Sequence, residues 1–152
     1  MEKIIVLGIG NRLMMDDGIG LYIVEQLSIM NCLPHVTFLV GESDIDYCMS
    51  RIMNAKYVII LDAVFSNSNP GELTVYPLAK LHEHQFLDIS AHNFHLFQSI
   101  YQQKESLRGY LIGIEPNEIT FQIGLSKILS EKRNSILQDV SQTINSIIES
   151  DF

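Results

Sequence analysis

Three observations predict an α/β fold, a three-layer α/β/α arrangement around a mostly parallel twisted sheet with one antiparallel edge strand, phosphorylase/hydrolase-like in outline. Apolar, strand-like runs alternate along the chain with amphipathic helical segments, the pattern of right-handed β-α-β crossovers. The strongest run, Tyr57–Leu61 (YVIIL), is unbroken, as suits a central parallel strand covered on both faces. A glycine-rich stretch, Gly8–Gly20, joins the first strand to the first helix, the place where open sheets hold their ligands.

Each element has its own warrant. Ile4–Leu7 is an apolar run that reads as the first buried strand, and Ile19, Ile23, Val24, Leu27 and Met30 recur at helical spacing after it. His35–Val40 (HVTFLV) is β-branched and aromatic, hence a second strand. Ile45–Asn54 places Ile45, Cys48, Met49, Ile52 and Met53 at helical intervals. Asn67–Gly71 (NSNPG) is a turn, and Glu72–Pro77 alternates like an edge strand that Pro77 ends. His92–Gln103 reads as helix, Tyr110–Ile114 as another buried strand and Glu118–Gln122 as a short extended piece. A long helix over Ser126–Glu149 closes the chain, with Ile136, Leu137, Val140, Ile144, Ile147 and Ile148 on one face. No repeat or low-complexity tract divides residues 1–152, so a single domain is expected.

Composition narrows the function. With 10 basic against 18 acidic side chains the net charge is −8, which disfavours nucleic acid or an anionic membrane and permits a cation or a basic partner. Cys32 and Cys48 are too few for a disulfide framework or a zinc knuckle, and they read as buried thiols in a reducing compartment. No apolar stretch is long enough to span a bilayer and MEKIIVLG lacks the shape of a signal peptide, so a cytoplasmic protein is the expectation.

The first loop, GIGNRLMMDDGIG, is ill suited to phosphate, because Asp16 and Asp17 at the helix start repel an anion. It also puts Leu13 where the dinucleotide fingerprint needs its third glycine. Either aspartate alone serves as a helix cap, but two in succession ask for a further reason. Asp62 stands at the lip of the strongest strand, where an unpaired carboxylate is costly, and His92 leads into a later helix. Glu115 and Asn117 follow another strand and belong to the same predicted rim. Two carboxylates and an imidazole form a partial ligand set for a borderline divalent metal such as nickel or zinc, with positions left open. His35, His82, His84 and His95 lack such a context; the alternation of His82 and His84 reads as a solvated surface.

On these residues the chain resembles the peptidases that mature nickel–iron hydrogenases. Their first loop has the form GxGNxLxxD(D/E)GxG, matched from Gly8 to Gly20 at every stated position. Asp62-Ala63 matches their second acid, Ser90-Ala91-His92 their histidine segment, and Gly113-Ile114-Glu115-Pro116 with Ile123-Gly124-Leu125 their late motifs. The resemblance implies a cytosolic endopeptidase that removes a C-terminal extension from the hydrogenase large-subunit precursor once nickel has been inserted. The nickel is then carried by the substrate, and Asp17, Asp62 and His92 contact it. Another divalent cation bound adventitiously is compatible with the same residues. Asp16 or Asp62 acts as general base, while Gly10, Asn11, Gly41 and Glu42 face the substrate backbone. The family usually carries Gly-Gly-Thr where this chain has Gly41-Glu42-Ser43, so charge replaces a glycine beside the proposed site. Two other readings stand beside the peptidase: a non-catalytic metal-binding or chaperone module of the same fold, which Glu42 favours, and a phosphoacceptor signalling domain with Asp62 as acceptor. Against the latter, no lysine follows the last core strand.

Overall fold

The computed structural model of the chain describes residues 4–30, 33–53, 55–83, 96–100, 102 and 107–152. Five strands, β1 (Ile4–Ile9), β2 (Val36–Glu42), β3 (Tyr57–Ala63), β4 (Leu73–Pro77) and β5 (Arg108–Ile114), form one sheet in the order β2-β1-β3-β5-β4. All pairs are parallel except β4 with β5, so the antiparallel strand lies at an edge. Pro77 ends β4 there, the place in a sheet where a residue without an N–H is tolerated.

Alternation along the strands builds the layers. In β1, Ile4 and Val6 point to one face with Tyr57, Ile59 and Leu61 of β3, packed under α1 (Ile19–Met30) and α3 (Lys127–Asp151). Helix α3 covers that face with Leu129, Ile136, Val140 and Ile144, its apolar stripe. Ile5, Leu7 and Ile9 point the other way with Val58 and Ile60, against Cys48 and Ile52 of α2 (Ile45–Ile52) and against Leu96, Phe97 and Ile100 of the helical residues 96–100. The central strands β1 and β3 are buried along their whole length, which is why their sequences show no polar alternation.

Close packing at the carboxyl end of the sheet explains the glycines of the first loop. A Cβ on Gly20 would lie 2.4 Å from the Leu61 carbonyl oxygen, so α1 can begin against β3 only with glycine there. Gly20→Ala is expected to cost about 3 kcal/mol, since the clash is with backbone and not with a movable side chain. Chemical denaturation checks this, and an unchanged midpoint would show that α1 does not press on β3.

Differences from the sequence reading are local. A 3-10 turn, Met15–Gly18, precedes α1, with Met15 in a left-handed conformation (φ 49°). Strand β2 runs on to Glu42, past the expected end at Val40. Its register against β1 slips between Gly8 and Ile9, so that Gly41 is the extra residue of a bulge. Helix α2 stops at Ile52. Residues 118–122 form no strand: one parallel bridge, Met14 to Gln122, ties them to the first loop. The other links between the two segments run through the Asp16 carboxylate and the Glu118 carbonyl, so they do not continue as a ladder.

Candidate active site

The parallel strands β1 and β3 end side by side, Gly8 opposite Leu61. The loop after β1 carries Asp17, and Asp62 is the residue that follows Leu61 within β3. Both acids therefore stand at the carboxyl rim of adjacent strands. Asp62 has the parity of Ile60 and Val64, so it faces the layer that contains α2 and residues 96–100. It is fully buried, and its Oδ1 accepts the Ala63 N–H at 2.8 Å. His92 lies outside the described residues, as do His95 and Cys32. The helical residues 96–100, which follow His92 in the chain, pack on the face that Asp62 shares.

Asp17 is half-buried and held by its own loop. Its Oδ2 accepts the Asn11 N–H at 2.9 Å, while Asn11 Oδ1 accepts the Leu13 N–H at 2.9 Å. Burial raises the Asp17 carboxyl above the usual carboxylate range, and the Asn11 N–H opposes that shift without cancelling it. Gly10 makes the loop fit: with φ of 146° it adopts a conformation open to glycine, and a Cβ there would meet the Asp17 carbonyl oxygen at 2.1 Å.

Asp16 turns the other way. Its carboxylate is fully buried and accepts four hydrogen bonds: from the N–H groups of Asn117 (3.0 Å), Glu118 (2.9 Å) and Ser126 (2.7 Å) and from the Ser126 hydroxyl (2.7 Å). Ser126 is the N-cap of α3, its Oγ accepting from the Leu129 N–H. One side chain thus joins the first loop, the 117–126 segment and the start of the longest helix. The predicted rim residues Glu115 and Asn117 are likewise bound into the scaffold. Buried Glu115 accepts from Ser66 N–H (2.8 Å), Ser66 Oγ (2.9 Å) and Ser68 N–H (3.1 Å), while Asn117 contributes its N–H to Asp16.

Gly41 and Glu42 lie beside the first loop. The Gly10 N–H donates to the Glu42 carbonyl at 3.0 Å. Gly41 is packed so that a Cβ would lie 2.5 Å from Cys48 Sγ. The residue with a positive φ is Glu42, at 52°, a strain that glycine would not have. Arg12 partly compensates: its Nε donates to Glu42 Oε1 at 3.1 Å, its Nη1 lies 2.6 Å from Glu25 Oε1, and its guanidinium stacks over Tyr22. The sequence reading missed this arginine, although its position inside the loop motif was a usable signal.

Among the described residues no group of three histidine, cysteine or acidic side chains is close enough to hold a metal ion alone. Cys48 is no substitute nucleophile. Burial, reinforced by Asp44, pushes its thiol up to about 11, and the sulfur rests against the Gly41 carbonyl at 3.7 Å. Cys48→Ala is expected to leave any hydrolytic activity of the chain within about twofold of wild type. A loss of more than tenfold with the fold intact would restore a thiol mechanism. No helix among the described residues is long and apolar enough to cross a membrane.

Comparison with known proteins agrees with this architecture. HupD of Rhodobacter capsulatus, a hydrogenase expression/formation protein, is 37% identical over 73 residues, covering 47% of this chain and 35% of its own length. The hydrogenase 2 maturation protease of Escherichia coli is 37% identical over 75 residues, covering 48% of this chain and 46% of its own. This chain thus spans less than half the length of either relative. The solved structure of the hydrogenase maturating endopeptidase HybD from E. coli superimposes with a TM-score of 0.77 at 25% identity, covering 98% of this chain and 94% of that one. The family model HycI, hydrogenase maturation protease, matches residues 21–143, and the chain accordingly belongs to the hydrogenase maturation protease family.

Proposed function

We propose that the protein is an endopeptidase that removes a C-terminal extension from the nickel-loaded large-subunit precursor of a nickel–iron hydrogenase. What supports the reading is that Asp62 lies near the carboxyl end of β3 while Asp17 lies in the 3-10 turn of the loop that follows the adjacent parallel strand β1, in a chain of this family. A half-buried carboxyl raised by desolvation is relieved by an approaching cation, so the site favours a substrate that brings its own metal. Asp17, Asp62 and His92 are the residues that meet that nickel. The metal then acts as a recognition element, and cleavage reports correct loading.

Hydrolysis needs a polarised carbonyl and a water that loses a proton. The substrate's nickel supplies the first by withdrawing electron density, and a carboxylate takes the proton as the water oxygen bonds to the carbonyl carbon. Collapse breaks the carbon–nitrogen bond, and the amine leaves with a proton returned to it. Asp62 is the candidate base, making this an aspartic-type reaction. Asp16 already accepts four hydrogen bonds, so its part is to position the loop. Gly10, Asn11, Gly41 and Glu42 are the residues assigned to the substrate side of the loop, with Gly10 and Gly41 shaping it from within, since each packs against the protein's own atoms.

The test is a mass measurement on loaded and unloaded precursor after incubation with the protein. Loss of the tail from the loaded form alone is expected. Loss from both forms would remove the metal checkpoint, and stable complex formation without cutting would favour a chaperone.

A further inference from the structure

Three large apolar side chains stand exposed on the two loops beside Asp17: Phe121 (80%), Ile123 (73%) and Leu13 (46%). None belongs to either core cluster, so the fold gains nothing from them. The backbone that carries them is nonetheless tied down. The Met15 N–H donates to the Gln122 carbonyl at 2.8 Å and the Gln122 N–H to the Leu13 carbonyl at 2.9 Å, locking the loops at their tips. Asp16 locks the same loops at their base through Asn117, Glu118 and Ser126. An apolar prominence on a hydrogen-bonded backbone needs little further backbone ordering when a partner covers it.

We infer that Leu13, Phe121 and Ile123 form the docking surface for an apolar segment of the precursor next to the bond that is cut. Continuity with the site identifies the occupant. Asn11 binds Asp17 with its N–H and the Leu13 N–H with its side chain, so one residue joins the patch to the proposed metal contact. The chemistry identifies the segment's character. From Ile119 to Ser126 and from Leu13 to Met15 there is no charged residue; Arg12, Glu118 and Lys127 stand at the flanks, as does Asp16, whose carboxylate is buried. An apolar centre with a charged margin recognises apolar side chains and resists salt. This rests on the endopeptidase reading above and adds to it where the substrate lies.

The double variant Phe121→Ser/Ile123→Ser tests it, because both side chains lie outside the core and folding is spared. With nickel-loaded precursor, KM is expected to rise about tenfold or more while kcat at saturation holds, the mark of binding shared by ground and transition states. Affinity for immobilised loaded precursor should fall in parallel. Wild-type KM and affinity in the variant would overturn the inference while leaving the endopeptidase reading intact. Wild-type protein that neither binds nor cuts the precursor would end that reading and the inference together. A wild-type dimer that the variant dissolves, with KM unchanged, would assign the patch to self-association and overturn the inference.

Discussion

Asp16→Ala is expected to lower stability by about 3–5 kcal/mol, the largest loss expected from a single polar substitution among the described residues. Three N–H groups and a hydroxyl, all directed at one buried carboxylate, would lose their acceptor together. Each orphaned donor costs about 1–3 kcal/mol when no water reaches it, and entry of water into the gap lowers the sum. The loss should appear as a reduced denaturation midpoint. Asp16→Asn makes the comparison sharper. The amide keeps one acceptor oxygen but turns an NH₂ toward donors, so roughly half the loss is expected. If Asp16 were also the catalytic base, the asparagine variant would lose cleavage outright at temperatures where it is still fully folded. A positioning role predicts the reverse order: stability falls first, and residual activity retains the wild-type pH profile.

Asp62→Asn is expected to lower kcat/KM for loaded precursor by about a thousandfold or more, with little change in midpoint. Asparagine has the same shape and can still accept the Ala63 N–H, so the strand end should survive. What disappears is the negative charge, needed both to meet a cation and to take a proton. Loss of cleavage with wild-type melting behaviour separates chemistry from folding. Retained cleavage would move the base elsewhere on the rim and leave Asp62 as a strand-end residue.

Much of the fold was legible because its causes are local. YVIIL is a central strand since nothing polar interrupts it, and the apolar residues of Ser126–Glu149 recur at the helical period that packs α3 on the sheet. The turn NSNPG and Pro77 marked the edge strand for equally local reasons. The position of Asp62 was legible as well, because an acid that directly follows the apolar run of a central parallel strand must lie at the carboxyl end of the sheet. Which of two neighbouring aspartates turns inward was not. Asp16 is chosen by donors about a hundred residues away, and Asn117, Glu118 and Ser126 leave no mark at the first loop. The fate of Glu115 was hidden for the same reason, since its partners Ser66 and Ser68 belong to a turn that only the sheet brings near.

Gly41-Glu42 shows how a departure from a family pattern can be accommodated. The left-handed backbone falls on Glu42, and Arg12, itself part of the first loop, draws the carboxylate toward Glu25 and Tyr22. An exposed pair of this kind contributes about 0–1 kcal/mol, comparable to the conformational cost that it offsets. The charge is thereby turned toward the loop's own arginine.

The most direct test of a shared metal contact is the nickel-edge X-ray absorption spectrum of loaded precursor, alone and freeze-quenched with the protein before cutting. Entry of oxygen and nitrogen donors into the nickel shell is predicted, reduced by Asp17→Ala, Asp62→Ala or His92→Ala. A nickel environment unchanged by the protein would contradict the account.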